Sequence, residues 1–287
     1  MMGDLYTQWW DRAAASTSID AARQIIGPMV DRLKVHPSIR GYNLIDDATP
    51  DKNELMRLAV QVFRERDPGR PASPMMVEKD LGQQVFDYVR PDAFLTYNYP
   101  ADVTTTACSW ARTFIDELRY TTRTKPASVP LWLVLQTHRT TFGTADSRLR
   151  YPAAEEARLQ NWIALGEGAQ GIWWFIYSSQ QGWLGLRDQP ILYAEVSDLA
   201  RRTTALPRFT KQADQVFAGA DYASTMVDSN GERYVVAANT SCGARDVTLT
   251  SPSLSGRLLD VETGQTFAFG QRIPFRGGDG RIFRYIP

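Results

Sequence analysis

At 287 residues the chain can bury a substantial core, as one barrel or as two ordinary domains. Lysine plus arginine and aspartate plus glutamate stand at 32 each, so no global field exists to recruit nucleic acid or an anionic membrane, and a neutral ligand fits the balance better. No apolar run approaches the roughly 18 residues that span a bilayer, and Met1-Met2-Gly3-Asp4 lacks a basic stretch followed by an apolar one; neither membrane insertion nor an export signal is expected from the chain as written.

The first clear element is an amphipathic helix over 19–33. Ile25, Ile26, Met29, Val30 and Leu33 recur at helical spacing, after a Ser18 suited to capping the start. A strand over 39–45 follows and ends in two adjacent carboxylates, Asp46 and Asp47. Thr49 or Asp51 can cap a second helix carrying Leu55, Leu58, Ala59, Val62 and Phe63, which Asp67-Pro-Gly-Arg-Pro71 stops. Further on, strands are expected at 74–77, 93–98, 130–136 and 171–177, with helices over 81–89, 110–120 and 155–165 between them. A helix over 195–206 leads out of this region.

Strands apolar on both faces, alternating with helices, call for a parallel sheet covered by helices. The expected architecture is a (β/α) TIM-type barrel over 1–215 that lacks its first strands, because a closed barrel takes eight strands in roughly 250 residues and five are found. The simplest account is a chain that begins inside the barrel, its opening strands lost by truncation or a misassigned start. A doubly wound open sheet is the alternative, but no Gly-rich phosphate turn follows any strand.

Near residue 217 the period changes to alternation. The segments 222–227 and 233–238 flank Asp228-Ser-Asn-Gly231, in which Asn230-Gly231 can supply the positive φ of a tight turn. Strands are also expected at 247–250, 256–261, 265–269 and 281–286. Residues 216–287 therefore read as a small antiparallel β-sandwich.

In a barrel the carboxyl ends of the strands share one rim. That rim would gather Asp46, Asp47, Glu78, Asn98, Tyr99, Gln136, His138, Trp174 and Tyr177, with Trp183 and Asp188 in the loop beyond. Hydrogen-bonding groups among flat apolar faces suit a sugar. Other chemistries lack their motifs. Only two histidines are present, His36 and His138, which excludes a His-rich metal site, and no nucleophile elbow or phosphate loop occurs. No cofactor is implied. Cys108 and Cys242 fall in different expected domains, so a disulfide is not anticipated. Glu155 and Glu156 sit in a first helical turn, where acids meet the helix dipole, and are read as structural. Arg148, Arg150 and Arg158 are read as solvated.

Several segments resemble sugar-hydrolysing barrels. His36-Pro37, Gly41-Tyr42 and Asp46-Asp47 resemble a fourth-strand pattern H-P-x-x-x-G-Y-x-x-x-D-E-P, with Asp47 in the place of the glutamate that serves as general acid/base. Pro130, Trp132, Val134 and Gln136 match P-x-W-x-V-x-Q. The run Arg150-Tyr-Pro-Ala-Ala-Glu-Glu-Ala-Arg158, continuing through Gly168, Gly171 and Trp174, resembles a signature of poorly characterised glycoside hydrolase-like barrels. Leu259-Asp-Val-Glu-Thr-Gly-Gln265 is similar to a hairpin in β-sandwich domains that trail such barrels.

The resemblance implies hydrolysis of O-glycosidic bonds in oligo- or polysaccharides, with Asp47 as general acid/base, raised in pKa by burial among aromatics. The usual seventh-strand nucleophile is absent, since that strand ends Leu135-Gln136-Thr137-His138. Glu78 or Asp188 is then the candidate second carboxylate. Asp46, Asn98, Tyr99, Gln136 and His138 would hold hydroxyls, and Trp174, Tyr177 and Trp183 would stack on the sugar. The rival expectation is a non-catalytic carbohydrate-binding barrel, or an inactive fragment of a larger glycosidase.

Overall fold

The computed structural model describes residues 3–4, 12–77, 79–143 and 148–287. In chain order the helical half contains β1 (Gly3–Asp4), α1 (Arg12–Ala15), α2 (Ile19–Leu33), β2 (Tyr42–Asn43), α3 (Asn53–Arg66), β3 (Ala72–Ser73), β4 (Met75–Met76) and α4 (Lys79–Val89). It continues with β5 (Phe94–Asn98), α5 (Ala111–Thr124), β6 (Leu131–Gln136), β7 (Arg139–Thr140), α6 (Ala154–Gly166), β8 (Ala169–Phe175), β9 (Trp183–Leu184) and α7 (Pro190–Thr204). Strands β10 (Thr210–Lys211), β11 (Tyr222–Val227), β12 (Arg233–Ala238), β13 (Arg245–Thr248), β14 (Arg257–Asp260), β15 (Thr266–Ala268), β16 (Arg272–Phe275) and β17 (Gly280–Ile286) complete the chain. Its contacts divide it into two units, Met1–Tyr97 with Arg123–Leu133, and Asn98–Thr122 with Val134–Pro287.

In the first unit Ser18 caps α2 as expected, its side chain accepting from the Ala21 N–H at 3.1 Å. Ala22, Ile26, Met29 and Val30 of α2 are buried, as are Leu55, Leu58, Ala59, Val62 and Phe63 of α3. The ring of Tyr42 meets Phe63 at 4.7 Å, and Phe86 of α4 meets Phe94 of β5 at 5.4 Å. Strands β1, β2 and β3 pair in parallel, as do β4 and β5. The expected strand over 39–45 is shorter, because residues 36–39 form a turn closed by Ile39 N–H to the His36 carbonyl at 3.2 Å. The expected strand over 74–77 is shorter as well, spanning Met75–Met76. Pro74 has no N–H to give to a ladder, and it separates β3 from β4.

The second unit is organised around α6, in which every residue from Glu156 to Gly166 is buried. This helix packs on α7 and on β11, β12 and β17. Strands β10-β11-β12-β17-β14-β15 form a six-stranded antiparallel sheet, and β13 pairs with β16. Val235, Ala237, Leu258 and Phe283 from the large sheet share one apolar core with Val247, Ile273 and Phe275 from the small one. The expected hairpin is present, with Gly231 at φ 79° in the turn between β11 and β12. Strands β7, β9, β10 and β16 carry no expectation from the sequence, three of them being only two residues long.

Close approach and buried charge hold α6 to the sheet. The ring of Tyr222 lies where a side chain on Gly166 would stand, and Trp162 where one on Gly280 would. Glu167, fully buried, accepts from Tyr222 Oη at 2.9 Å and from Arg119 Nε at 3.2 Å, with Lys211 Nζ 3.4 Å from its other oxygen. Burial, and then the Glu167 charge, push the Tyr222 hydroxyl well above its usual range. Trp162 Nε1 donates to Asp279 at 3.2 Å under the Arg202 guanidinium, which lies 4.8 Å from the indole. Arg158 is 6% exposed and bonds Glu155, Glu195 and the Gly277 carbonyl, so the expectation of a solvated arginine fails there. Arg150 likewise pairs with the buried Glu156 at 2.6 Å. Both corrections share one cause: α6 is enclosed on every side, and its polar residues must find partners inside the protein.

Cys108 and Cys242 form a disulfide across 134 residues, contrary to the expectation from the sequence. Their separation along the chain concealed the juxtaposition: the Cys108 N–H donates to Glu156 in the first turn of α6 at 3.0 Å, and the backbone at Gly277, beside the Cys242 carbonyl, lies against Glu155 of the same turn.

Two outcomes are expected. Replacing Cys108 and Cys242 by serine will lower the unfolding free energy by about 2–5 kcal/mol, measured by urea titration against the oxidised chain. Removing residues 216–287 will leave a product without a cooperative thermal transition, because it strips the cover from Trp162 and Glu167; a sharp transition in residues 1–215 alone would overturn this.

Candidate functional site

The sequence-derived site residues fall into two groups, one in each unit. In the first unit Asp47 follows directly on Asp46 and takes φ 47°, a left-handed backbone that breaks the strand alternation at this point. Asp46 Oδ1 accepts from the Asp47 N–H at 3.1 Å. Tyr97, at the end of β5, donates its hydroxyl to Asp47 Oδ1 at 2.9 Å, and Lys52 Nζ donates to the Asp47 carbonyl at 2.9 Å. Asp47 is exposed, not buried among aromatics as expected. A carboxyl group at a strand end, oriented by a phenol and open to solvent, can exchange a proton with a bound molecule. Glu78 lies outside the described residues.

In the second unit an aromatic cluster surrounds His138. The imidazole is 0% exposed, with Tyr99 at 4.7 Å, Trp183 at 4.8 Å and Phe175 at 5.2 Å between ring centroids. Phe142 extends the cluster outward, 5.0 Å from Trp183 and 48% exposed. The antiparallel pair β7 and β9 sets Trp183 opposite Thr140 and so brings it to the histidine. His138 Nδ1 donates to the Phe175 carbonyl at 2.7 Å, and Nε2 has no hydrogen-bond partner among the described residues. Burial outweighs that hydrogen bond and lowers the imidazole from its ordinary 6.5 to about 4, so His138 is neutral near pH 7.

The remaining candidates separate by how their polar atoms are used. Gln136 is 0% exposed and spends its amide on backbone: Oε1 accepts from Ala101 N–H at 2.8 Å, and Nε2 donates to the carbonyls of Ala101, Arg150 and His138. Asn98 is buried and donates to Glu117 of α5 at 2.5 Å. Both hold the strand ends in place. Trp174 is half-buried on β8, adjacent to Phe175 and on the opposite face of the strand. Tyr177 is 53% exposed and pairs with Tyr193 at 5.9 Å. Asp188 closes a short 3-10 turn (Leu186–Asp188) and is exposed. The Ser179 hydroxyl donates to it, and this bond, aided by Arg187, holds the carboxyl below its usual range. An ionised carboxylate of this kind is a base or nucleophile, not a proton donor.

Tyr97, Phe142 and Phe175 were not singled out in the sequence. Phe175 had a signal, since strand parity sets it on the other face from Trp174; Phe142 belongs to a loop whose position only tertiary contact determines. Glu156 is structural, accepting from Arg150, Trp110 Nε1 and the Cys108 and Ala153 N–H groups. Burial alone would raise its carboxyl, but Arg150 and these donors outweigh burial and lower it. Among the described residues no group of three or more His, Cys, Asp or Glu side chains could hold a metal ion.

Glycoside hydrolases are among the solved structures of similar fold. A family 5 glycoside hydrolase from Bacteroides vulgatus aligns over 96% of this chain with a TM-score of 0.59 and 13% identity. The chain has a glycoside hydrolase-like fold. A further glycoside hydrolase aligns over 96% of it at TM-score 0.60 and 13% identity, and an Anoxybacillus alpha-amylase over 100% at 0.56 and 12%. The chain spans about two thirds of the length of these neighbours, 66%, 71% and 70% respectively. No family model matches the sequence, and no curated protein matches it. Among the described residues no helix is long and apolar enough to cross a membrane.

The lowered His138 gives a signed prediction. As pH falls from 6.5 toward 4 the unfolded chain takes up a proton that the folded imidazole refuses, so stability present above pH 6.5 is lost through this window. In His138→Asn, which keeps a donor for the Phe175 carbonyl, this component disappears. Its unfolding free energy should fall by about 3 kcal/mol less between pH 7 and pH 4 than that of the native chain, measured by denaturant titration at each pH.

Proposed function

We propose that this chain is a glycoside hydrolase-like protein acting on the O-glycosidic bonds of oligo- or polysaccharides. In this reading residues 1–215 form a (β/α) barrel and residues 216–287 a trailing β-sandwich. The observation that carries it is the aromatic cluster of Tyr99, Phe175 and Trp183 around a neutral, buried His138, in a fold shared with glycoside hydrolases. Flat apolar rings with one uncharged polar atom between them suit the C–H face and hydroxyls of a sugar, and the even charge balance favours a neutral ligand.

Asp47 is the proposed general acid/base, oriented by Tyr97. Glu78 or Asp188 is the candidate second carboxylate. In the second unit Tyr99, His138 and Trp183 are the proposed sugar contacts, together with Trp174 and Tyr177; Asp46 is the proposed hydroxyl contact of the first unit. Gln136 and Asn98 support the site from behind, since their amides are committed to the protein. No cofactor enters the scheme. The Cys108–Cys242 disulfide favours a protein that matures in an oxidising compartment.

One observation favours a second reading, in which the barrel binds carbohydrate without cleaving it. The end of β6 offers a saturated amide and a neutral imidazole where a nucleophilic carboxylate would be needed.

Reducing-sugar release from a panel of polysaccharides and aryl glycosides separates the two. Hydrolysis is expected from the native chain and a loss of at least a hundredfold in Asp47→Asn. Equal release from both would remove Asp47 from catalysis; binding without release from either would establish the non-catalytic reading.

A further inference from the structure

The unpartnered nitrogen of His138 deepens the proposed carbohydrate reading and rests on it. A buried acceptor left without a hydrogen bond has given up its water for nothing in return, and His138 Nε2 is such an atom in a fully buried ring. Its polarity is set by the other nitrogen. Because Nδ1 is 2.7 Å from the Phe175 carbonyl, which can only accept, Nδ1 carries the proton and Nε2 presents a lone pair. The rings packed on the imidazole, Tyr99, Phe175 and Trp183, bring no formal charge.

We propose that His138 Nε2 is the specificity determinant of the site: it accepts a hydrogen bond from a hydroxyl of a neutral sugar, reached when the Trp183 indole turns aside, and it excludes uronic acids at that position. A hydroxyl is a donor and completes the bond that the protein leaves open. A carboxylate has no proton to donate, would face the lone pair with its own, and would lose its water among rings, Tyr99, Phe175 and Trp183, that carry no charge to offset the loss. Trp183 is the movable wall because Phe142, itself 48% exposed, lies beyond it, and turning the indole leaves the Trp183 backbone paired with Gln180 and β7.

The chain contains only two histidines, so nitrogen-15 labelling of histidine reads His138 directly, with His36 as the internal control. The free protein should show a protonated Nδ1 and a bare Nε2 at His138. Neutral hexasaccharides of glucose, mannose and xylose, in α and β linkage, are then added in turn, and hexagalacturonate separately. A neutral hexasaccharide is expected to move the His138 Nε2 resonance toward the protonated position and leave His36 unchanged. Hexagalacturonate is expected to bind at least tenfold more weakly, and His138→Asn to bind the neutral sugar about tenfold more weakly than the native chain. A protonated Nε2 in the free protein, neutral-sugar binding that leaves Nε2 unmoved, or equal binding of hexagalacturonate would overturn the assignment while leaving the carbohydrate reading intact. Failure of every sugar to bind, by calorimetry as well as by resonance shift, would sink the carbohydrate reading and this assignment with it.

Discussion

The enclosure of α6 is the constraint on which the second unit depends. A helix buried on all sides normally carries only apolar residues, yet this one carries Glu156, Arg158, Gln160 and Asn161 and is followed by Glu167. Each charged group is taken up by a partner from a different element: Arg150 for Glu156, Glu195 for Arg158, Arg119 and Tyr222 for Glu167. Removing one member of such a pair would strand the other in low dielectric at a cost of about 3–5 kcal/mol. Through these pairs α6 and the residue after it are tied at once to the preceding loop, α5, α7 and β11. Net stability comes from the apolar contacts between them, such as Trp162 against Gly280.

That fixed placement has consequences at the candidate site. Gln160 of α6 accepts from the Gln136 N–H at 2.9 Å, and the Gln136 amide in turn ties the end of β6 to the Ala101 and Arg150 backbone. His138 lies two residues beyond, so its position is inherited from this chain of hydrogen bonds. The candidate site is thus supported by polar residues bonded to the protein itself, and the cluster they carry is aromatic with one neutral acceptor.

Strand–helix alternation, the capped helix at Ser18, the hairpin at Gly231 and the change of period near residue 217 were legible because each depends on neighbours within a few positions. The candidate site was legible as residue types and not as geometry. Asp47, His138, Tyr99 and Trp183 could be picked out as polar and aromatic residues at or just beyond strand ends, but Gln136 and Asn98 look identical in the sequence and are spent on Ala101, Arg150 and Glu117. Whether an amide faces a ligand or a backbone depends on what folds over it, and no local pattern records that. Strand lengths were misjudged where a turn at His36 or the missing N–H of Pro74 removed residues from a ladder.

The sequence by itself determined the element types, the neutral charge balance and the residue chemistry available for a sugar, since these follow from local periodicity and composition. Tertiary structure alone decided the Cys108–Cys242 bond, the burial of Arg158 and Glu167, and the protonation of His138. The physical reason is common to all three. A thiol pair, an ion pair and an imidazole pKa are set by distance and dielectric between groups tens of residues apart along the chain, and both quantities come into being only when α6 and its neighbours close around them.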